Sequence, residues 1–489
     1  MTRRGPEGRS DADGTRGRPD GARSLLSRRD FVKGAGALTL GAGAFPTILI
    51  GCGGGGGSGG SSGGGGGGGN KQLKILQWSH FVPAYDKWFD PWVKSWGDKN
   101  GVKVSVDHVN YADITPRTAA EINAGQGHDL ILWNTPPAAY EPSVYDLSDL
   151  VKQVEKKYGP QLPFAKNTSY NPKTNHYFGF TYSYAPDPGD YRKSLWQQVG
   201  MGKGPTTWDD VLSATAQIKK ATGKRSGIGM SQEPDSNMAA RALIWAFGGS
   251  VQDKNENVTI NSPQVVQAVE FMVKLFKQAE TAEVFSWTAA SNNQGLVAGQ
   301  LSYILNSISA YRTAQQTNPQ IADDIFFTPA LKGPTGIGIA SEHVIQTYII
   351  PKFSKQVDTA KEFLTYLADH ASDFVYQSQL YEFPTFPKTN AQNKLFGKGG
   401  WLDKDPYKSH PSDKLSLLKT AEQWSTNVGH PGPANPAIGE IFDTNVLPNM
   451  MATAAKGQKT PQEAVADAEK QVKQIFTKWR KKGLIGGSS

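Results

Sequence analysis

The chain has 489 residues, of which 38% are hydrophobic, 54 are glycine and one is cysteine. No run of roughly 18 or more uninterrupted apolar residues occurs, which excludes a protein built on several membrane-spanning helices, and a single cysteine excludes an intramolecular disulfide framework. The formal charge is +8, but nine basic and five acidic side chains, half of that excess, lie in residues 1–52, so we expect no nucleic-acid partner.

The first segment, residues 1–52, has the pattern of an export signal. Arg28 and Arg29 precede a mildly apolar run at 34–50, which resembles a twin-arginine signal. The run ends at Cys52 in a sequence that resembles a bacterial lipobox. A buried core cysteine is the alternative, but polyglycine follows at once and cannot pack a core. We predict that Cys52 carries the lipid and that the protein is exported, held at the outer face of the cell membrane or in the periplasm.

Residues 53–69 consist of 14 glycines and three serines. Such a chain is a flexible coil with an r.m.s. span of ~20–25 Å. We interpret it as a tether that lets a globular body stand off the membrane, although a generic spacer would look the same.

The globular part begins at residue 70 with alternating strands and helices. Apolar segments at 73–76 and 129–133, and alternating valines at 102–106, predict three strands. Between the first two strands, tryptophans spaced by four residues predict one packed helical face: Trp88, Trp92 and Trp96. The order β-α-β-α-β favours a doubly wound α/β lobe.

Three later helices are predicted from their first residues. Thr207 followed by Asp210 fits a capping box, and Ser262 followed by Pro263 places a cap before a proline at the first helical position. Thr460 repeats the same arrangement near the C-terminus. The apolar residues that follow each cap recur at helical spacing, so we interpret these helices as core elements.

From residue 72 to 480 the chain resembles the extracellular solute-binding proteins of ATP-driven importers, in particular the family that captures sugars. The resemblance rests on an ordered set of short motifs at 119–130, 204–211, 245–249, 261–263, 298–300 and 360–364. It departs from the family in the Pro- and Asp-rich segment 183–190. The resemblance implies a periplasmic-binding-protein fold of type II, in which two interleaved α/β lobes are joined by three crossings and close by hinge bending.

On that resemblance we place the first lobe at residues 70–182 and 320–370, and the second at 183–319 and 371–480. Residues 481–489 are expected to form a disordered tail. The resemblance also implies a monomer that hands its solute to a membrane permease and an ATPase of an ABC importer.

Candidate binding residues follow from the rule that open α/β sheets bind ligands at the carboxyl ends of their strands. Sugars have apolar C–H faces and a rim of hydroxyl groups, so flat aromatic rings together with amide or carboxylate groups suit them. The residues that meet these conditions are Trp78, His80, Tyr111, Trp133, Asn134, Tyr182, Trp245, Trp287, Asn306, Tyr311, Glu342 and His343. The second crossing is expected at 306–311. His80 and His343 are equally compatible with structural roles.

No motif indicates catalysis, a cofactor or a metal site. The eight histidines do not form His-x-x-x-His or Cys-His spacing, and nucleophile-elbow, phosphate-loop and dinucleotide-binding motifs are lacking outside the glycine-rich segment at 53–69. We therefore expect a binding protein rather than an enzyme. Four alternatives stay open: capture of a polyamine, capture of a phosphorylated polyol, a secreted glycoside hydrolase, and a lipoprotein scaffold that binds no solute.

Overall fold

The computed structural model describes residues 71–488. Its strands are β1 (Lys71–Trp78), β2 (Val102–Val109), β3 (Leu130–Trp133), β4 (Tyr170–Asn171), β5 (His176–Tyr177), β6 (Phe180–Ala185), β7 (Gly189–Arg192), β8 (Arg225–Gly227), β9 (Leu301–Leu305), β10 (Ile325–Thr328), β11 (Ala340–Ser341), β12 (Val344–Ile349), β13 (Phe383–Pro384) and β14 (Ser425–Thr426). The three strands predicted from apolar segments correspond to β1, β2 and β3.

The α-helices are α1 (Ala84–Asn100), α2 (Ile114–Ala124), α3 (Ser148–Tyr158), α4 (Pro163–Ser169), α5 (Lys193–Gln198), α6 (Trp208–Thr222), α7 (Pro234–Ala246), α8 (Pro263–Ala279), α9 (Ser291–Val297), α10 (Ser309–Thr317), α11 (Pro319–Asp324), α12 (Val357–Asp369), α13 (Ala371–Gln377), α14 (Gln392–Phe396), α15 (Ala421–Trp424), α16 (Pro436–Asp443), α17 (Val446–Ala455) and α18 (Pro461–Lys481).

The first lobe is built on a six-stranded sheet of order β13-β6-β12-β3-β1-β2. β1 is parallel to β2 and β3, whereas β12 is antiparallel to β3 and β6. Every residue of β3, β6 and β12 is buried, as expected for strands covered on both faces. Because β1, β2 and β3 run in parallel, their carboxyl ends meet at one edge of the sheet.

The second lobe is built on a four-stranded sheet of order β10-β7-β9-β8. β7 is antiparallel to β9 and β10, and β8 is parallel to β9. α6 packs on α8, and the C-terminal helices α17 and α18 pack on the same helix. The C-terminal helices thus belong to this lobe although the chain has visited the first lobe in between.

The chain passes between the two sheets more than once, so the lobes are interleaved. Residues 186–188 join β6 to β7, and residues 329–343 lead from β10 to β12. After β13 in the first sheet, the chain returns to α17 and α18 on the second lobe. The exact lobe boundaries remain a proposal.

Several expected boundaries differ from this topology. Residues 183–185 and 383–384 are expected in the second lobe, but they lie in β6 and β13 of the first sheet. Residues 325–328 were assigned to the first lobe, but β10 pairs with β7 along its whole length and belongs to the second sheet. The second crossing was expected at 306–311, and it lies at 329–343 instead. The reason is that β10 extends the second sheet before the chain leaves it, which the local sequence does not show.

The predicted helix starts are confirmed. Thr207 and Thr460 each form a capping box, and the Ser262 hydroxyl accepts from the backbone N–H of Val265 at 3.3 Å. The predicted tryptophan face of α1 is also confirmed: Trp96 is buried, and its ring centroid lies 5.2 Å from that of Phe363 in α12.

The expected disordered tail is wrong for the residues that the structure describes. α18 ends at Lys481, after which Leu484 and Ile485 are buried. The Asn171 side chain donates to the Leu484 carbonyl oxygen at 3.0 Å, and the backbone N–H of Gly486 donates to Glu256 at 2.6 Å. Two apolar side chains and these hydrogen bonds hold the segment on the body of the protein.

The export signal with Arg28 and Arg29, the lipidation site Cys52 and the tether at 53–69 lie outside the described residues. Between residues 71 and 488, no helix combines the length and apolar character needed to cross a bilayer.

Candidate functional site

Aromatic side chains line the edge where β1 and β2 end. The ring of Trp78 lies 5.0 Å from Phe81 and 5.9 Å from Tyr111, and Phe81 and Tyr111 are stacked at 5.8 Å. The Trp78 indole N–H donates to Gln346 Oε1 at 3.1 Å, which fixes its orientation. Trp78 is buried, whereas Phe81 and Tyr111 are half-buried. These three rings form the aromatic wall of the candidate site.

His80 lies behind the aromatic wall with both ring nitrogens engaged. Its ring stacks on Trp78 at 5.1 Å. The backbone N–H of Val82 donates to Nδ1 at 2.9 Å, so Nε2 carries the proton and donates to Glu382 Oε1 at 3.2 Å. His80 therefore supports the wall and has no free nitrogen for a ligand.

β3 contributes the next two predicted residues. Trp133 is buried against Tyr140, with ring centroids 5.3 Å apart. The backbone carbonyl oxygen of Asn134 accepts from Ile345 at 3.3 Å, but its side-chain Nδ2 is buried without a partner in the described chain. The amide of Asn134 is thus available to a ligand, whereas Trp133 mainly fills the space behind it.

Facing the aromatic wall are two carboxylates joined by His343. The imidazole Nδ1 lies 3.0 Å from Asp187 Oδ1, and Nε2 lies 3.8 Å from Asp235 Oδ1. The Asn292 side chain donates to Asp235 Oδ2 at 2.7 Å. The His343 ring lies 6.4 Å from Phe81, which connects this acidic group to the aromatic wall.

Burial and neighbouring charges shift the pKa values of Asp235, Asp187 and His343 in opposite directions. Burial raises the pKa of Asp235 to about 6, although the charge of His343 opposes the shift. Burial also raises the pKa of Asp187, against the hydrogen bond from His343. For His343, burial favours the neutral ring, but the hydrogen bond and charge of Asp187, with Asp235, outweigh it and raise the pKa. The raised pKa favours the protonated imidazolium, which lies between the two carboxylates.

Glu233 begins the helix that carries Asp235. Its carboxylate is the N-cap of α7, accepting from the backbone N–H of Asp235 at 2.7 Å and of Ser236 at 2.6 Å. Burial raises the pKa of Glu233, and the neighbouring charge of Asp235 raises it further. The cap fixes the first turn of α7 and with it the position of Asp235, whose carboxylate lies beside His343.

A cavity of about 310 Å³ lies between the two lobes, at the lower end of the range of small-molecule sites, roughly 300–1,000 Å³. The first lobe lines it with Tyr111, Ala112, Thr115, Pro116, Asn134 and Thr135, and the second with Gln232, Glu233, Pro234, Phe442, Asp443 and Asn445. A larger cavity of about 420 Å³ lies near Arg312 and Tyr407, away from the strand ends. The interlobe cavity is therefore the candidate site.

Several buried polar atoms around the interlobe cavity have no protein partner within residues 71–488. They are the hydroxyl groups of Tyr111 and Tyr381, Asn134 Nδ2 and Asp187 Oδ2. Leaving one such group unpaired costs about 1–3 kcal/mol, so folded proteins pair almost all of them. Such atoms occur elsewhere in the described chain as well, but those of Tyr111 and Asn134 belong to residues that line the cavity, where a polar ligand or ordered water can pair them.

Other predicted residues lie away from the cavity. Tyr182 is buried in the core of the first lobe, where its hydroxyl group lies 3.2 Å from that of Tyr85. Trp245 is buried in α7 and donates to the His430 carbonyl oxygen at 3.1 Å. The Tyr311 hydroxyl is buried and donates to Ser409 at 2.8 Å. These rings fill the protein interior instead of facing a ligand.

The remaining predicted residues do not line the interlobe cavity. The Asn306 side chain contacts Asn293, which in turn donates to Ser309. Trp287 is half-buried beside a separate cavity of about 270 Å³. Glu342 is buried; burial raises its pKa, and the nearby Arg241 opposes the shift.

The acidic side of the site was missed by sequence reasoning. Asp187 lies in the Pro- and Asp-rich segment that departs from the family, and Glu233 and Asp235 flank the proline that begins α7. That Glu-Pro-Asp pattern is a helix-start signal and could have placed both carboxylates at the start of a helix. Tyr381 and Asp443 come from distant parts of the chain and carry no local signal. Among the described residues, no three His, Cys, Asp or Glu side chains are arranged to hold a metal ion.

Comparison with known sequences places this chain beside transport proteins. The family described as bacterial extracellular solute-binding protein matches residues 82–373. A protein of Deinococcus radiodurans named "Probable ABC transporter-binding protein" is 26% identical over 184 residues, 36% of this chain and 44% of the relative. An uncharacterised ABC transporter extracellular-binding protein of Pyrococcus horikoshii is 26% identical over 198 residues, 39% of this chain and 44% of the relative. The chain thus spans less than half the length of these curated relatives.

Solved structures share the two-lobed fold over most of the chain. The maltose-bound MalE3 of T. maritima matches with a TM-score of 0.69 and 18% identity, over 83% of this chain and 99% of that one. A sugar transporter protein from Arthrobacter chlorophenolicus with bound laminaribiose matches with a TM-score of 0.67 and 16% identity, with the same coverage. A solute-binding protein from Agrobacterium radiobacter in complex with ribitol gives 0.67 and 18%, again with that coverage. At these identities the likeness shows the fold.

Proposed function

Because the chain belongs to the family of bacterial extracellular solute-binding proteins, we propose that it captures a carbohydrate in the interlobe cavity and delivers it to the membrane permease of an ABC importer. The observation that carries the proposal is the aromatic wall of Trp78, Phe81 and Tyr111 beside buried polar groups that lack protein partners.

The chemistry of the cavity suits a sugar. Tyr111 is half-buried and lines the cavity, so its ring is open to stacking on an apolar C–H face. Asn134, Thr135, Gln232 and Asn445 supply amide and hydroxyl groups around the same space. Such groups exchange hydrogen bonds with a rim of sugar hydroxyls, and buried atoms such as Asn134 Nδ2 gain the partner that they lack in the protein.

The mechanism is capture without chemistry. A ligand that touches Tyr111 on one lobe and Glu233 on the other makes both sets of contacts only when the lobes are shut, so it favours the closed population. The connections at 186–188 and 329–343 are the segments that bend. The closed form then docks on the permease, whose ATPase supplies the energy for transport.

The proposal extends to the N-terminal residues. Arg28 and Arg29 direct export, and Cys52 becomes the lipidated N-terminus of the mature protein. A protein anchored in this way, through the glycine-rich segment at 53–69, stays close to its permease at the outer face of the membrane or in the periplasm.

A melting-temperature panel tests the binding function. Purified protein is heated with neutral sugars, amino sugars, a polyamine and a phosphorylated polyol, each at millimolar concentration. A ligand present at a thousandfold excess over its Kd stabilises the fold by about 4 kcal/mol, so a carbohydrate that fits raises the Tm by several degrees. No shift with any carbohydrate contradicts the proposal, and a shift with the polyamine or polyol alone replaces it with one of those cargoes.

Two variants locate the binding site. Tyr111→Ala removes the open ring of the aromatic wall and is expected to abolish most of the ligand-induced shift. Tyr376→Ala removes a tyrosine that is 37% exposed on α13 and outside the cavity, and it is expected to keep the full shift. Chromatography of an oligosaccharide after incubation with the protein is expected to show no products; turnover would favour the glycoside hydrolase.

A further inference from the structure

The interlobe site has an excess of negative charge. Burial raises the pKa of Tyr111, and the charges that raise it further are those of Asp235, Asp443 and Glu233. The charged residues that line the cavity are Glu233 and Asp443, and its lining contains neither lysine nor arginine. Carboxylates can accept hydrogen bonds from neutral sugar hydroxyls, but two carboxylates with no lysine or arginine in the lining also favour a positively charged group.

The protein itself balances this charge only in part. Glu233 is held by the N-terminal backbone of α7. Asp187 and Asp235 share one imidazole, that of His343, at 3.0 and 3.8 Å. Asp187 Oδ2 is left without a partner, and Asp235 keeps 7% of its surface exposed. Burying carboxylates without a matching positive charge is costly, so a cation that enters the site gains affinity by supplying it.

A second observation points independently to a ligand between the walls. Tyr381 is fully buried, yet its hydroxyl group has no partner among the described residues. Its ring lies 6.4 Å from that of His343, and charges around its hydroxyl group include those of Asp235 and Asp187. The hydroxyl therefore lies beside the acidic group and is available to a ligand group held there.

The surroundings favour an organic cation over a metal ion. No cluster of three or more potential metal ligands occurs between residues 71 and 488. The ring of Tyr111, which lines the cavity, instead offers a π-face, which attracts ammonium groups by about 0.5–2 kcal/mol. Asn134, Thr135, Gln232 and Asn445 line the rest of the cavity with neutral hydrogen-bonding groups, which suit hydroxyl groups better than a bare alkyl chain.

We propose that the captured carbohydrate carries a protonated amino group, which binds Glu233 and Asp443, the two carboxylates in the cavity lining, while its ring lies on Tyr111. This inference rests on the proposed function and specifies its substrate class as amino sugars. An ammonium group has three donors and no acceptor, so it matches carboxylate oxygens and the free tyrosine hydroxyl groups better than a neutral hydroxyl does.

Matched sugars test the proposal. Calorimetric titration of the purified full-length protein at pH 7 compares three forms of the same skeleton: the C2-hydroxyl form, the C2-amino form and the N-acetylated form, which loses the charge. Cellobiose, the glucosamine disaccharide and the N-acetylglucosamine disaccharide form one series, and glucose, glucosamine and N-acetylglucosamine another. The amino member of each series is expected to bind at least tenfold more tightly than either neutral form. Added salt is expected to reduce this difference in affinity.

Variants assign the preference to the carboxylates. Asp443→Asn and Glu233→Gln are expected to reduce the amino-over-hydroxyl ratio at least fivefold while affinity for the neutral form changes less. Asp209→Asn, at an exposed position in the first turn of α6, is the control and is expected to keep the ratio. Circular dichroism melts of each variant check that it is folded.

The outcomes separate the two proposals. Equal or tighter binding of the neutral forms overturns the amino-sugar inference and leaves the sugar-binding function standing. Binding of spermidine with no binding of any sugar overturns both. A preference for the amino form that survives both carboxylate substitutions also overturns the inference, because the charge would then be recognised elsewhere.

Discussion

At the scale of single residues, the site is governed by one histidine placed between two acids. His343 lies 3.0 Å from Asp187 in the connection between the sheets and 3.8 Å from Asp235 in the second lobe. The same imidazole therefore contacts both the connection at 186–188, which we propose to bend on closure, and the second lobe. This placement makes the protonation of Asp235 a determinant of stability.

Asp235→Asn is expected to stabilise the ligand-free protein near neutral pH. The pKa of Asp235 is raised to about 6 in the fold, against about 3.9 in an unfolded chain. The folded state thus holds the proton more tightly, and the free energy of unfolding falls as the pH rises from about 4 to 6, by up to about 3 kcal/mol. Asparagine avoids this loss, so the Tm difference between variant and wild type should be larger at pH 7.5 than at pH 4.5.

The measurement is a pair of thermal melts at each pH, with Asp209→Asn as the exposed control. The side chains of His343, Asp187 and Glu233 also change their protonation with pH near this position. The variant and the wild type both retain these side chains, so their effect is common to the two proteins. A variant that is less stable than wild type by the same amount at both pH values would show that the carboxylate serves mainly as a partner of His343 and Asn292.

At the scale of elements, close packing between a helix and a strand determines the residue at one position where helix propensity alone would favour another. Gly97 lies near the end of α1, where the helix crosses β2. A Cβ atom at this position would lie 2.5 Å from the Val102 carbonyl oxygen and 2.6 Å from Val104 Cγ2. The glycine is therefore required by the approach of helix and strand and not by the helix itself.

Gly97→Ala compares the gain in helix propensity with the cost of overpacking against β2. Alanine is favoured over glycine in a helix by about 1 kcal/mol, whereas overpacking costs about 1–3 kcal/mol and here meets backbone. We expect net destabilisation, seen as a lower urea midpoint with an unchanged slope. Ser95→Ala, at an exposed position of the same helix, is the control and should be neutral or slightly stabilising. A stabilised Gly97→Ala would mean that β2 shifts away at little cost.

The elements that could be predicted from the sequence are those fixed by local chemistry. Helix starts can be predicted at Thr207, Ser262 and Thr460 because each cap forms its hydrogen bond within four residues. Strands β1 and β3 can be predicted from their apolar runs. The return of β10 to the second sheet depends on a partner more than 130 residues earlier. Aromatic residues at strand ends were found in the same local way, whereas Tyr182 and Tyr311 satisfy the same pattern and lie in the interior.

At the scale of the whole molecule, attachment and closure are separable. The N-terminal prediction concerns only where the protein resides, so it can fail without affecting the binding site. Closure concerns the two sheets, which are joined by residues 186–188 and 329–343 and enclose the cavity between Tyr111 and Glu233.

Cys52→Ser is expected to move the protein from the membrane fraction to the soluble fraction of its cell. Serine cannot carry the thioether-linked lipid, and a protein without acyl chains loses about 0.8 kcal/mol of membrane affinity per buried CH₂. Immunoblots of the two fractions measure the change. Replacing Arg28 and Arg29 with lysine is expected to act earlier, leaving unprocessed precursor inside the cell, and membrane retention of Cys52→Ser would contradict the lipidation site.

Closure predicts a change in the distance between the lobes when ligand binds. Spin labels at exposed Lys103 in β2 and Lys274 in α8, in a chain with Cys52 replaced by serine, report one distance across the cavity. Saturating carbohydrate is expected to shorten that distance by several ångström and to narrow its distribution, because contacts to both walls form only in the closed state. Labels at Lys220 and Lys274 lie within the second lobe and should not respond. If the cross-cavity distribution is the same with and without ligand while calorimetry shows saturation, the solute enters a site that is already closed, and the connections at 186–188 and 329–343 are not hinges.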